Sequence, residues 1–206
     1  DDTVRTVSSL SVHRAVPLSF RSPSHSRHRH TARMRIIGID PGLASTGYGV
    51  IDHDGCQSRL VMAGCIETVG TAPLAQRLRT IHDDLAEVIR RTAPDCAAME
   101  QLFFCTNIRT AISVAQGRGV AILATAAAEL PLHEYTPLQI KQAVAGYGRA
   151  TKQQVEHMVR AMLRLDTKLD TSHAADALAA ALCHAHASKF ADAVARAQAR
   201  ARKRTA

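Results

Sequence analysis

Apolar positions along the chain change period about one third of the way through, and the change divides it into two kinds of element. Residues 35–39, Arg-Ile-Ile-Gly-Ile, form a short apolar run ending at Asp40, and a Pro41-Gly42 turn follows. A second extended pattern runs from Thr46 to Ile51 and is turned by Asp54-Gly55, and residues 59–67 supply a third. Three extended segments joined by short turns predict an antiparallel meander that opens a sheet. Leu74, Leu78, Ile81, Leu85 and Val88-Ile89 then recur at helical spacing, which predicts an amphipathic helix ending before Pro94.

The rest of the pattern alternates. Residues 96–99 are a fourth apolar strand, ending at Glu100, and a long helix is expected over about 108–129, capped by Thr106 or Asn107. That helix contains Gly117 and Gly119, each costing roughly 1 kcal/mol, so a close contact is expected to compensate. Leu132 to Tyr135 reads as a fifth strand, and Pro137 suits the first position of a helix capped by Thr136. Residues 146–150 break the pattern before a helix capped by Thr151 and carrying Val155, Met158-Val159 and Met162-Leu163. A last, Ala-rich helix is expected over about 173–187, capped by Thr171 or Ser172, with a smooth face that can lie close to a sheet. The fold class is therefore α/β: a mixed five-stranded sheet flanked by helices.

Composition sharpens this picture. The 206 residues suit one α/β domain and are too few for two lobes closing on a cleft. Aromatics are only 3%, with no Trp, so Ala, Leu, Ile and Val must fill the core. The net charge of +8 lies in the arms. Residues 1–33 carry six Arg against two Asp, residues 189–206 carry six basic residues against one Asp, and the interval 34–188 holds 14 basic and 15 acidic residues. The domain expected is thus 34–188, between a disordered basic N-terminal extension and a basic C-terminal tail, both plausible phosphate contacts. The first 33 residues lack the apolar core of a signal peptide, and their histidines, His13, His25, His28 and His30, read as tail residues. No apolar run reaches membrane-spanning length, so a soluble, cytoplasmic protein without membrane contact is expected. The five cysteines, at 56, 65, 96, 105 and 183, form no CxxC pair and no zinc spacing, and are expected to be reduced and mostly buried.

The candidate chemistry is acidic. Asp40 and Glu100 each follow an apolar strand and begin a turn, and ligands in open α/β sheets gather beyond the carboxyl ends of strands. Asp176 falls near the start of the last helix, with His173 one turn earlier on the same face. Carboxylates so grouped repel one another unless a cation shares the site, and Mg²⁺ prefers oxygen ligands. His173 brings either a nitrogen ligand or a proton-relaying group. Each residue alone also has a plain reading: Asp40 as a turn residue before Pro-Gly, Glu100 as a solvated cap, His173 and Asp176 as ordinary first-turn residues.

Five segments carry more. Residues 36–50 (Ile-Ile-Gly-Ile-Asp-Pro-Gly-Leu-Ala-Ser-Thr-Gly-Tyr-Gly-Val), 99–103, 136–144, 146–155 and 173–179 resemble, in order, the RuvC family of Holliday junction resolvases. The resemblance covers about 34–188 and implies a ribonuclease H-like fold, a homodimer, and paired symmetric nicks in four-way junction DNA. It implies a site of Asp40, Glu100, His173 and Asp176 for two Mg²⁺ ions, with Mn²⁺ a substitute. His at the third position, where some members have Asp, bears on metal preference. Lys141 and Lys152 match basic residues near the scissile phosphates. Phe103, with Phe104 beside it, matches an aromatic wedge at the junction centre; the plain reading is one phenylalanine in the core and the other exposed, as alternation on an extended segment gives. Arg118 and Arg149 read either as phosphate contacts or as solvated surface. The implied chemistry is hydrolysis leaving a 5′ phosphate and a 3′ hydroxyl, and the implied partners are the branch-migration proteins RuvA and RuvB. The 108–129 helix is a candidate dimer surface.

Other readings share part of the pattern. An ATP-using protein of the actin-like or sugar-kinase fold has a similar phosphate loop but needs two lobes. A junction-binding protein without cleavage would be expected to lack one of the four acidic-site residues, all of which are competent here. Another nuclease of the same fold would share the metal chemistry.

Overall fold

The structure, a computed structural model, describes residues 33–102 and 108–204, the side chains of 108–110 and 189–204 excepted. The described residues form five strands and five helices: β1 (Met34–Asp40), β2 (Ser45–His53), β3 (Ser58–Glu67), α1 (Leu74–Thr92), β4 (Cys96–Glu100), α2 (Ile108–Ala127), β5 (Leu132–Tyr135), α3 (Pro137–Ala145), α4 (Lys152–Leu163) and α5 (Ser172–Arg204). The strands make one mixed sheet in the order β3-β2-β1-β4-β5. The first three pair antiparallel, as the short turns require, while β1–β4 and β4–β5 are parallel.

Period-2 alternation in β1 splits the core between two faces. Ile36 packs with α3, α4 and α5, whereas Ile37 and Ile39 pack with α1 and α2. Such central strands, covered by helices on both sides, read in sequence as continuous apolar runs.

Local signals hold where they carry a mechanism. Thr136 and Thr151 cap α3 and α4, each in a reciprocal capping box with Gln139 and Gln154, and Pro137 occupies the first turn of α3. Between the two candidates for the α5 cap, Thr171 receives the Ala174 N–H on its hydroxyl. The Thr106 and Asn107 caps, with Phe103, Phe104 and Cys105, lie outside the described residues. Gly117 makes the close contact expected of it, since a Cβ there would sit 2.8 Å from the Gly42 carbonyl carbon, but Gly119 has open space around it.

The last helix departs from expectation. It does not end near 187 but continues to Arg204, into the segment that charge sets apart as a tail. No Gly or Pro occurs after residue 188, and Ala and Arg are strong helix formers, so propensity carries the helix on. The four described cysteines are free; Cys96 and Cys183 are buried, Cys65 is intermediate and Cys56 is exposed.

Candidate active site

The parallel register of β1 and β4 ends with Ile39 beside Met99, so Asp40 and Glu100 leave the sheet side by side. The turn after Asp40 is tied down by Thr46, fully buried, whose hydroxyl donates to the Gly42 carbonyl at 2.7 Å. Across the sheet, Gly47 pairs with Asp40. A Cβ at Gly47 would collide with the carbonyl oxygen of His173, so glycine is what lets the first turn of α5 lie directly over this strand end. The result is a contact between residues far apart in the chain: His173 Nδ1 donates to Asp40 Oδ2 at 2.8 Å. Asp40, His173 and Asp176 offer ligand atoms all within 4.8 Å of one another.

Electrostatics define what the group wants. Burial raises the Asp40 carboxyl above its usual range, the His173 hydrogen bond opposes this, and Asp176 adds like-charge repulsion. Glu100 is likewise raised by burial first, then by Asp40 and Asp176. Lys141 and Lys152 pull it the other way, which places both lysines in the field of the site. Lys152, at the start of α4, donates to Asp176 Oδ2 at 2.6 Å. Burial lowers the Lys152 ammonium, but the contact with Asp176 outweighs it and the net shift is upward. Crowded carboxylates whose charge is costly, facing ammonium groups, are the donor chemistry of a hard divalent cation, and the residues present fit one.

The remaining candidates separate. Arg149 is exposed in the segment joining α3 to α4. Arg118 is not a free phosphate contact: Nη1 donates to the Glu100 carbonyl at 2.6 Å, Nη2 pairs with Glu134, and its side chain is only 12% exposed. It clamps the end of β4 to β5, a role that no local sequence signal disclosed. Arg118→Ala is expected to lower cleavage about 10-fold or more, by releasing the main chain at Glu100, with DNA binding nearly unchanged. Equal losses in binding and cleavage would mean that Arg118 contacts DNA instead.

A five-stranded sheet in this order, with acids ending its two central parallel strands and an imidazole and a carboxylate supplied by the last helix, defines a nuclease of the ribonuclease H-like class. The chain belongs to the crossover junction endodeoxyribonuclease RuvC family, whose model matches residues 36–184. Among its relatives, RuvC of Pelotomaculum thermopropionicum is 51% identical over 127 residues, which are 62% of this chain and 77% of that protein. RuvC of Chloroflexus aggregans is 50% identical over the same length, again 62% of this chain and 77% of its own. The structure of T. thermophilus RuvC in complex with a Holliday junction substrate superposes with a TM-score of 0.73 at 37% identity, covering 77% of this chain and 96% of that one. A yeast mitochondrial Holliday junction resolvase, 12% identical with a TM-score of 0.55 over 76% of this chain and 81% of its own, shares the fold.

Proposed function

We propose that this protein resolves four-way DNA junctions by two symmetric, metal-dependent nicks, each leaving a 5′ phosphate and a 3′ hydroxyl. The observation that carries the reading is the convergence of Asp40, His173 and Asp176 within 4.8 Å, beside Glu100 at the end of the neighbouring strand. Asp40, Glu100, His173 and Asp176 are the residues proposed to hold two Mg²⁺ ions, with Mn²⁺ able to replace them. Such ions would supply water activation and charge stabilisation at the attacking and leaving oxygens.

The chain's own side chains do the rest. With Nδ1 directed at Asp40, His173 keeps its ring oriented and leaves Nε2 to bind an ion or pass a proton. Lys152, which donates to Asp176 at the mouth of the site, is placed to neutralise phosphate charge, and Lys141 approaches from α3. Phe103 is proposed as the wedge at the crossover, with Phe104 beside it, and Arg149 as a phosphate contact. Two nicks need two sites, so a two-fold dimer is proposed. Exposed Ile112 and Leu123, eleven residues apart and so on one stripe of α2, support this helix as the contact. Cooperation with RuvA and RuvB completes the proposal.

The test is cleavage of a mobile four-way junction on denaturing gels, in Mg²⁺ and then Mn²⁺, beside matched linear duplex and Asp176→Asn. Symmetric nicks confined to the junction and lost in the variant are expected. Binding without nicks in either metal would reduce the protein to a structural role, and neither binding nor nicks would end the proposal.

Metal binding should also depend on pH in a set direction. Asp40 and Glu100 hold their protons to higher pH than ordinary carboxylates, and only the ionised forms bind a cation. The rise in Tm produced by Mg²⁺ is therefore expected to be full at neutral pH. It should fade on acidification sooner than a site of unshifted carboxylates would. Thermal scans with and without Mg²⁺ across this range check it, and a gain that persists below the ordinary carboxylate range contradicts it.

A further inference from the structure

Away from the acidic site, three residues from three different elements meet beneath α5: Cys96 at the start of β4, His133 on the edge strand β5, and His184 on α5. Each offers one ligand atom, and these atoms lie within 4.8 Å of one another. The parallel register explains the meeting. His133 pairs with Ala98, two residues beyond Cys96, so all three side chains occupy the α5 face of the sheet. His184 is eleven residues beyond His173, about 16 Å along the helix, so this cluster and the acidic site are separate.

We propose that Cys96, His133 and His184 form a second metal site, selective for a thiophilic borderline ion of the zinc class. The donor set of one thiolate and two imidazoles is that of zinc and its neighbours, and a poor one for Mg²⁺. The two imidazoles lie together as a stack, their centroids 4.1 Å apart and their planes 25° from parallel, so one ring must turn before both can face a shared ion. The Tyr135 hydroxyl holds His184 Nδ1 at 2.7 Å, which fixes the ring and leaves Nε2 to coordinate, the outer-shell arrangement usual for a metal-bound histidine. Ligand atoms around zinc lie roughly 3.5 Å apart, and the three here lie within 4.8 Å of one another, so any contraction needed is small. Exposed His133 can supply that by side-chain rotation.

Binding replaces the Cys96 S–H bond with a sulfur–metal bond and releases one proton to solvent. Burial pushes that thiol up to about 11, so uptake strengthens as pH rises. An ion here would clasp the four-residue edge strand β5 to β4 and α5. Glu134 of that strand pairs with Arg118, which holds Glu100, so the clasp stiffens the platform behind the acidic site.

Co²⁺ titration of the reduced, metal-free full chain tests this, because only a sulfur ligand gives the near-ultraviolet thiolate-to-cobalt absorption. One equivalent is expected to produce that band and Zn²⁺ to bleach it, with Mg²⁺ in excess having no effect. His133→Ala, at an exposed position, should weaken Co²⁺ binding more than about 10-fold, and Cys96→Ser should abolish the band. Cys56→Ser and Asp40→Asn should keep it. Zn²⁺ should raise the Tm of the parent chain but not of His133→Ala. A chain without the band, a band that survives Cys96→Ser, or one that follows Cys56 would overturn the proposal. Junction cleavage is not read in any arm, so failure here leaves the nuclease assignment standing.

Discussion

Asp40→Asn is expected to reduce junction cleavage about 10⁴-fold, equivalent to about 5.5 kcal/mol of lost transition-state stabilisation, while junction binding stays within about 2-fold. Asp40 is where the site's interactions cross: it accepts from His173 at 2.8 Å, repels Asp176, and raises the Glu100 carboxyl. Asparagine has the same shape and can still accept from His173, so the change removes charge and leaves geometry intact. What is lost is the negative charge that would hold a cation between the strand end and α5. Binding should persist because phosphate attraction comes from basic residues outside this contact. The metal-free variant should unfold at a slightly higher temperature, since a half-buried carboxylate beside Asp176 opposes folding. Single-turnover cleavage, gel-shift binding and thermal scans on the same preparation separate the three effects. Cleavage within 10-fold of the parent would remove Asp40 from the chemistry.

Gly47→Ala is expected to cost about 3 kcal/mol of stability and most of the cleavage activity, although the residue has no chemistry of its own. The added methyl group would meet the His173 carbonyl oxygen, an atom of helix backbone that cannot rotate aside. Either α5 lifts off the sheet or β2 bends away, and both separate His173 and Asp176 from Asp40. Gly70→Ala is the control, since a Cβ there would meet nothing within 4 Å. Unfolding free energies from denaturant melts of the two variants should differ by most of the predicted ~3 kcal/mol. Equal midpoints would mean that the close approach of α5 does not matter. A Gly47→Ala chain that is destabilised yet fully active would mean that the site tolerates the shift.

Much of the fold is legible in the sequence because its causes are local. The β1 run ending in Asp40, the Thr136 and Thr151 caps, and Pro137 in the first turn of α3 each follow from hydrogen-bonding and steric rules acting within four residues. The equivalence of Asp40 and Glu100 also shows in sequence, because both follow apolar strands, and the parallel register of β1 and β4 sets them side by side. Resemblance carries the family, and the four acidic-site positions with it. The length of α5 does not follow from the charge pattern, because a change in charge ends a helix only where propensity also breaks, and after residue 188 it does not.

Other features need the folded chain. Arg118 lies between two glycines and looks free in sequence, yet the packing of α2 against the sheet directs it to the Glu100 carbonyl and to Glu134. Cys96, His133 and His184 show no ligand spacing because metal motifs in sequence report ligands on one local loop, whereas these lie on a strand, its neighbour and a helix about 50 to 90 residues away. Which segments become strands and helices, and which residues are chemically competent, follows from the chain alone, since propensity, capping and residue type act over a few bonds. Which of those residues touch is set only on folding. Contacts such as His173 with Asp40, 133 residues apart, depend on strand order, register and the glycine that lets a helix settle on the sheet.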